Sequence, residues 1–266
     1  MTLNEIRDTV VSQWHAFESC YSSVLHSTVP LLNTINSYQA EHGGKHLRPL
    51  LVLLTAEATH SANPHTAQLA TIVELLHSAS LMHDDVVDND ETRRGAPSIQ
   101  HRWNIRVALL TGDYYLARMM QLLDEVGDPH ATQITIATAA AMSEGEMMQQ
   151  QQLMSPSTTA DLETYLKIID LKTARLIQTC CVLGTHGGSM ESRQWMESFG
   201  HAYGMAFQIR DDLDDLNHEH LPWIPSKKVL QQALQQHCQQ ARETLRPLSQ
   251  SVFTTALEQL VKNLEI

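Results

Sequence analysis

The sequence predicts an all-α protein, a single domain of antiparallel helices joined by short loops. Three observations predict it. Apolar residues recur at helical spacing along most of the chain. Alternating strand patterns with Asn-Gly or Asp-Gly turns are absent, and the glycine and proline breaks are short and local. With 266 residues, 42% of them hydrophobic and 18% charged, the chain can bury a sizeable core in one domain.

The elements follow in order. Gly43-Gly44 precedes a helix that begins at KHLRP. After Asn63-Pro64, the residues Leu69, Ile72, Val73, Leu76 and Ala79 mark one buried helix face, which runs on to Gly95-Ala96-Pro97. Helical periodicity returns over 105–123 and 131–148, on either side of Gly127-Asp128-Pro129. It resumes over 161–183 after Ser155-Pro156, over 191–216 after Gly187-Gly188, and over 228–246 after Pro222 and Pro225. The run Gln149–Gln152 reads as a polar helix end. No long linker divides residues 1–266, so one domain is expected.

The totals exclude some functions. A formal net charge of −12 argues against nucleic acid as a partner, because such footprints are basic. Cys20, Cys180, Cys181 and Cys238 lack CxxC spacing and read as reduced thiols of a cytoplasmic protein. The start MTLNEIRDTVVSQW lacks the pattern of a signal peptide, and no apolar stretch approaches transmembrane length.

The chemistry concentrates in two places. LMHDDVVD (81–88) and QIRDDLDD (208–215) both end an apolar helical run in D-D-x-x-D. Asp84 and Asp88 fall one turn apart on a helix with Asp85 beside them; Asp211 and Asp215 do the same with Asp212 beside them. Asp214 falls on another face. Like charges near a helix C-terminus oppose one another and the macrodipole, so a cation is expected to offset them. Mg²⁺ suits such a site, because it takes one or two carboxylates and completes its octahedron with water and phosphate oxygens. A solvated acidic patch is the plain alternative. Neither cluster has the form of a calcium loop, and HEH at 218–220 lacks the second pair a zinc site needs.

Basic residues accompany the aspartates. Arg93 and Arg94 follow the first cluster, and GGKHLRP (43–49) supplies Lys45 and Arg48 behind two glycines. Glycines let backbone N–H groups approach an anion, and arginine forks match phosphate oxygens. Lys172-Thr173 stands among apolar neighbours, where a lysine also snorkels. His77 lies two turns before Asp84 on the same stripe, either as a core histidine or as a ligand; Gln208 lies about one turn before Asp211.

GGKHLRP, ELLHSASLMHDDVVDNDETRRGAPS, TGDYYLA, EGEMMQ, KTA and FQIRDDLDD, in this order over about residues 40 to 216, resemble the motif set of the trans-prenyltransferases, most of all the longer-chain polyprenyl diphosphate synthases. The resemblance implies a helical bundle around a deep central cavity, usually a homodimer. It implies head-to-tail condensation of isopentenyl diphosphate with an allylic diphosphate such as farnesyl diphosphate. By that analogy Asp84, Asp85, Asp88, Asp211, Asp212 and Asp215 hold several Mg²⁺ ions on the allylic diphosphate. Arg93, Lys172, Thr173 and Gln208 hold that diphosphate or its cation, and Lys45, Arg48, His77 and Arg94 hold isopentenyl diphosphate. In the family the product grows beside the first aspartate helix. Ala79 and Ser80 are small there, which points to a product of C20 or longer, unless they are small only for close helix packing.

The sequence departs from the pattern twice. His46 stands where the family usually has arginine, so weaker isopentenyl diphosphate binding is expected. After DDLDD the family's G-K-P loop and following lysine segment do not appear. The domain is therefore expected to be shortened or incomplete after about residue 218, with Lys227 and Lys228 as substitutes for the missing lysine. This departure motivates a second reading, a catalytically impaired binding or regulatory subunit. A terpene cyclase fits less well, because DDLDD lacks that class's mixed second metal motif; a metal-independent scaffold is the remaining alternative.

Overall fold

The computed structural model describes residues 1–154, 161–216 and 223–265. The breaks expected at Ser155-Pro156 and Pro222, and the point at about residue 218, lie outside the described residues.

Helix α1 (Leu3–Asp8) opens on a capping box between Thr2 and Glu5. It is followed by α2 (Val11–Leu25), α3 (Pro30–Glu41), α4 (Leu47–Ala58) and α5 (Thr66–Val87). After α5 comes a short hairpin, β1 (Thr92–Arg93) paired antiparallel with β2 (Ala96–Pro97). Then follow α6 (Ile99–Arg102), α7 (Ile105–Val126), α8 (Pro129–Met154), α9 (Leu162–Ile169), α10 (Arg175–Gly184), α11 (Met190–Asp215), α12 (Lys227–Leu245) and α13 (Val252–Lys262).

Local chemistry sets the boundaries. Asn104 caps α7 by accepting from the Val107 N–H, and Gly127, at φ +67°, ends it in the left-handed conformation. Pro129 then opens α8, as the break at 127–129 predicts. Helix α4 is apolar from Pro49 to Leu54 and lies in the centre, with Leu51, Val52, Leu53 and Leu54 fully buried. Helices α5, α10 and α13 pack around it, α5 packs in turn on α2 and α7, and α11 joins α10 to α12. Each fully buried leucine of α4 contributes about 1.5–3 kcal/mol through removal from water. None of the described helices is long and apolar enough to cross a membrane.

Two features correct the expectations. Residues 161–183 are not one regular helix, because Asp170–Ala174 form a π-helical turn between α9 and α10, where the Arg175 N–H donates to the Asp170 carbonyl. The chain also contains the β1–β2 hairpin, where no strand is expected. Its two-residue turn is Arg94-Gly95, with φ +54° and +78°, the backbone that asparagine-glycine more often supplies.

Candidate active site

Both aspartate clusters end their helices. Asp84 and Asp85 occupy the last turn of α5 with Asp88 as its C-cap, and Asp211, Asp212 and Asp215 occupy the end of α11. Asp214 points elsewhere, paired with Arg210 at 3.2 Å.

Within each cluster the second aspartate is held by protein donors. Asp85 is buried and accepts from Arg93 Nε at 2.6 Å, and Arg93 also bonds Asp90 at 2.9 Å. Asp212 is buried and accepts from the Tyr165 hydroxyl at 2.5 Å and from Gln208 Nε2 at 2.9 Å. The Thr173 hydroxyl donates to Gln208 Oε1 at 2.8 Å, which fixes the amide and extends the chain of bonds to the π-helical turn.

Lys172 stands between the clusters. It pairs with Glu146 of α8 and bonds Gln149 Oε1 at 3.2 Å, and its charge is felt by Asp84, Asp88 and Asp212. Gly145 permits α8 to approach the π-helical turn this closely, because a Cβ there would lie 2.7 Å from the Lys172 backbone nitrogen. The run Gln149–Gln152 is indeed a polar helix end, and its first residue reaches this lysine.

The clusters carry more negative charge than the protein offsets. Burial pushes Asp84 up to about 6, with Glu146 and Asp88 adding to the rise and Lys172 opposing it. Asp211, at the rim, is pushed up to about 6 by partial desolvation and then by Asp212 and Asp215. Burial also raises Asp85, Asp88 and Asp212, against the pull of Arg93, Lys172 and Tyr165 respectively. Hard, under-neutralised carboxylates at the ends of two helices fit Mg²⁺. Among the described residues no three histidine, cysteine or acidic side chains form a metal cage on their own.

The basic residues gather beside the acidic ones. Arg48 lies over the Phe207 ring at 5.8 Å and is felt by Asp211. The Arg94 guanidinium lies against Gly44, where a Cβ would fall 2.5 Å from its carbon. His77 is buried, and burial followed by the charges of Arg48, Arg94, His46 and Arg93 holds it well below the usual histidine range. It is therefore a neutral hydrogen-bonding group at pH 7, not a third fixed charge. Lys45 is exposed at the entry to α4.

His46 is placed differently from a phosphate ligand. It caps α4 in the left-handed conformation at φ +48°, and its Nδ1 lies 2.8 Å from Glu74 Oε1. Its ring sits among Trp14, Phe17 and Tyr21. His46 and Arg94 are both non-glycine residues with positive φ, and strained backbone of this kind clusters at functional sites. Ala79 is fully buried and Ser80 half-buried, its hydroxyl bonded to the His77 carbonyl at 2.9 Å. Lys227 and Lys228 are exposed on the first turn of α12.

Sequence reasoning missed Glu74, Glu146 and Tyr165. Glu146 lay within the EGEMMQ motif, and Tyr165 precedes Lys172 by two turns, so both had a spacing signal. Glu74 had none, because its partner lies 28 residues away.

The family model described as polyprenyl synthetase matches residues 29–221, most of the chain and both aspartate clusters. The chain belongs to the polyprenyl synthetase family. Among its relatives is an all-trans-nonaprenyl-diphosphate synthase (geranyl-diphosphate specific) of Rhodobacter capsulatus, 36% identical over 79% of this chain and 65% of the relative. Another is a heptaprenyl diphosphate synthase component 2 of Geobacillus stearothermophilus, 40% identical over 65% of this chain and 54% of the relative. The chain thus spans less than two thirds of the length of these curated relatives. A solved decaprenyl diphosphate synthase from Rhodobacter capsulatus superposes with a TM-score of 0.88 at 25% identity, covering 98% of both chains. Members of this family share the all-α fold described above.

Proposed function

We propose that this chain is a Mg²⁺-dependent trans-prenyltransferase, which condenses isopentenyl diphosphate head-to-tail with an allylic diphosphate such as farnesyl diphosphate. The product is a polyprenyl diphosphate of C20 or longer. One observation carries the reading: Lys172 stands between two under-neutralised aspartate clusters, with Arg48, Arg94 and His77 gathered beside them.

In this reading the roles divide. Asp84, Asp88, Asp211 and Asp215 hold Mg²⁺ on the allylic diphosphate. Asp212 acts on the metal through its neighbours, because Tyr165 and Gln208 occupy its two oxygens, and Asp85, with Arg93 on Oδ1, keeps Oδ2 for the metal. Bound Mg²⁺ supplies Lewis-acid stabilisation of the departing diphosphate. Lys172 and Arg93 add fixed positive charge to the leaving group, and Thr173 and Gln208 orient dipoles towards the allylic cation. Lys45, Arg48, Arg94 and neutral His77 hold isopentenyl diphosphate. The allylic C–O bond breaks with its electron pair leaving on diphosphate, the alkene of isopentenyl diphosphate attacks the allylic cation to form the new C–C bond, and a C–H proton of the adduct leaves to the released diphosphate as the double bond re-forms.

We place the protein in the cytoplasm, on the free thiols of its four cysteines. It is a homodimer in this reading. Ile105, Leu109 and Met120 are exposed along one face of α7, beside Leu110 at 67% exposure, and a second copy covers them.

The test is incubation of the purified chain with radiolabelled isopentenyl diphosphate, farnesyl diphosphate and Mg²⁺, with products sized after dephosphorylation. A ladder ending at one dominant length supports the reading. The second reading, a binding subunit of a two-chain synthase, is favoured by the missing G-K-P segment and by the relative named as component 2. Mg²⁺-dependent farnesyl diphosphate binding without extension selects it.

A further inference from the structure

Helix α5 carries a second polar face. About 100° round from the aspartate face, Glu74, Ser78, Met82 and Asp85 line a cavity of ≈ 610 Å³, enclosed with residues of α2, α3, α7 and the hairpin. That volume is in the range of small-molecule sites. Asp84, Asp88 and Asp211 do not line it.

Glu74 sets its chemistry. The residue is 2% exposed, and its Oε1 is taken by His46 Nδ1. Its Oε2 is buried with no hydrogen-bond partner among the described residues. Arg48 and Glu74 feel each other's charge, but Glu74 Oε2 accepts no hydrogen bond from it. A buried carboxylate oxygen left without a donor retains its full desolvation cost, so it favours an incoming N–H. The Tyr21 and Ser78 hydroxyls stand beside it, 3.4 Å apart, and Phe17, Leu81 and Met82 form the apolar wall. Two hairpin arginines also line the cavity: Arg93 is committed to Asp85 and Asp90, and Arg94, whose guanidinium lies against Gly44, is felt at the Tyr21 hydroxyl.

We propose that this cavity is a second ligand site, which takes a small organic cation. A primary alkylammonium donates to Glu74 Oε2 and the Tyr21 hydroxyl, and its hydrocarbon lies along Phe17, Leu81 and Met82. A buried carboxylate with aromatic rings beside it selects an ammonium over a neutral isostere. The proposal goes beyond the prenyltransferase reading and does not depend on it.

The experiment is isothermal titration of the full chain with n-hexylammonium chloride, without diphosphate or Mg²⁺. Saturable binding at one site per chain is expected, with 1-hexanol weaker by about tenfold or more. Two variants report on the site. His46→Arg places a guanidinium on Glu74, and Ser78→Leu fills the cavity one turn along α5 while leaving the Glu74 carboxylate in place; each weakens hexylammonium by about tenfold or more. Thermal unfolding shows that each variant is folded, and either one alone suffices. Absence of binding to the wild type, equal binding of 1-hexanol, or unchanged binding in a folded variant overturns the proposal. Failure of prenyl transfer leaves the result intact, because the readout needs neither turnover nor diphosphate.

Discussion

The Tyr165 hydroxyl donates to Asp212 Oδ2 at 2.5 Å, a bond from α9 to the aspartate-bearing end of α11. With Gln208 on the other oxygen, Asp212 is a fixed anion whose direction is set by protein rather than by solvent. Tyr165→Phe removes one of its two donors. Expected are a loss of about 1 kcal/mol in unfolding free energy and a shift of the Mg²⁺ activation curve to about tenfold higher concentration. An activation curve that stays in place removes Asp212 from the metal site.

Gly44→Ala tests the arginine contact. The new Cβ falls on the Arg94 guanidinium, the free end of a flexible side chain, so the side chain moves and the fold does not. The KM for isopentenyl diphosphate is expected to rise about tenfold, the loss of one charge-assisted contact, with the melting temperature unchanged. A normal KM shows that Arg94 does not hold that substrate.

His46→Arg restores the residue the family pattern leads one to expect. A guanidinium satisfies both oxygens of Glu74, where imidazole reaches one. With Glu74 neutralised by its own arginine, its pull on Arg48 is relieved and Arg48 is left to the diphosphate, so a higher melting temperature and a lower KM for isopentenyl diphosphate are expected at pH 7. Steady-state kinetics decide it: an unchanged or raised KM sinks the idea that histidine weakens this subsite.

The acidic clusters predict a pH-dependent metal effect. Asp84 and Asp211 are both pushed up to about 6. Raised carboxyls favour the protonated native state, so their contribution is fully present below about pH 4 and is lost as pH rises through about 6. Without Mg²⁺ these two groups lower the melting temperature between about pH 5 and about pH 7. Excess Mg²⁺ therefore raises it more at the higher pH. Equal shifts at both, read by scanning fluorimetry, contradict metal binding at these residues.

Chain length is tested at Ser80 rather than Ala79. Ala79 is fully buried, so Ala79→Phe overpacks the core at a cost of about 1–3 kcal/mol. Ser80 is half-buried, and Ser80→Phe is expected to shorten the dominant product while the protein stays folded. A product ladder of unchanged length places the growing chain elsewhere.

The helices were legible in the sequence because burial on one face imposes a 3.6-residue period, and the observed α7, α8, α11 and α12 begin and end close to the predicted ranges. The aspartates were legible because a carboxylate run at a helix end is costly without a cation. What was not legible depends on contacts across the chain. The hairpin turn is Arg94-Gly95, whose left-handed arginine has no compositional mark. The bond of His46 to Glu74 needs the packing of α4 on α5, and the hold on Asp212 needs Tyr165 from a different helix. The single extra residue in the turn at 170–174 leaves the apolar period almost unbroken over so short a length.

That turn makes the site sensitive to arithmetic as well as to chemistry. Its closing bond spans five residues instead of four, so it holds one amino acid more than a regular helix of the same rise. Deleting Leu171 would let the segment relax into a continuous α-helix with every functional side chain still encoded. The half on one side would then turn by about 100° against the other. Tyr165 would swing away from Asp212 while Ala174 kept its place. A variant of this protein can thus retain the whole motif set, letter for letter, and lose the constellation through a single-codon deletion between two of its members.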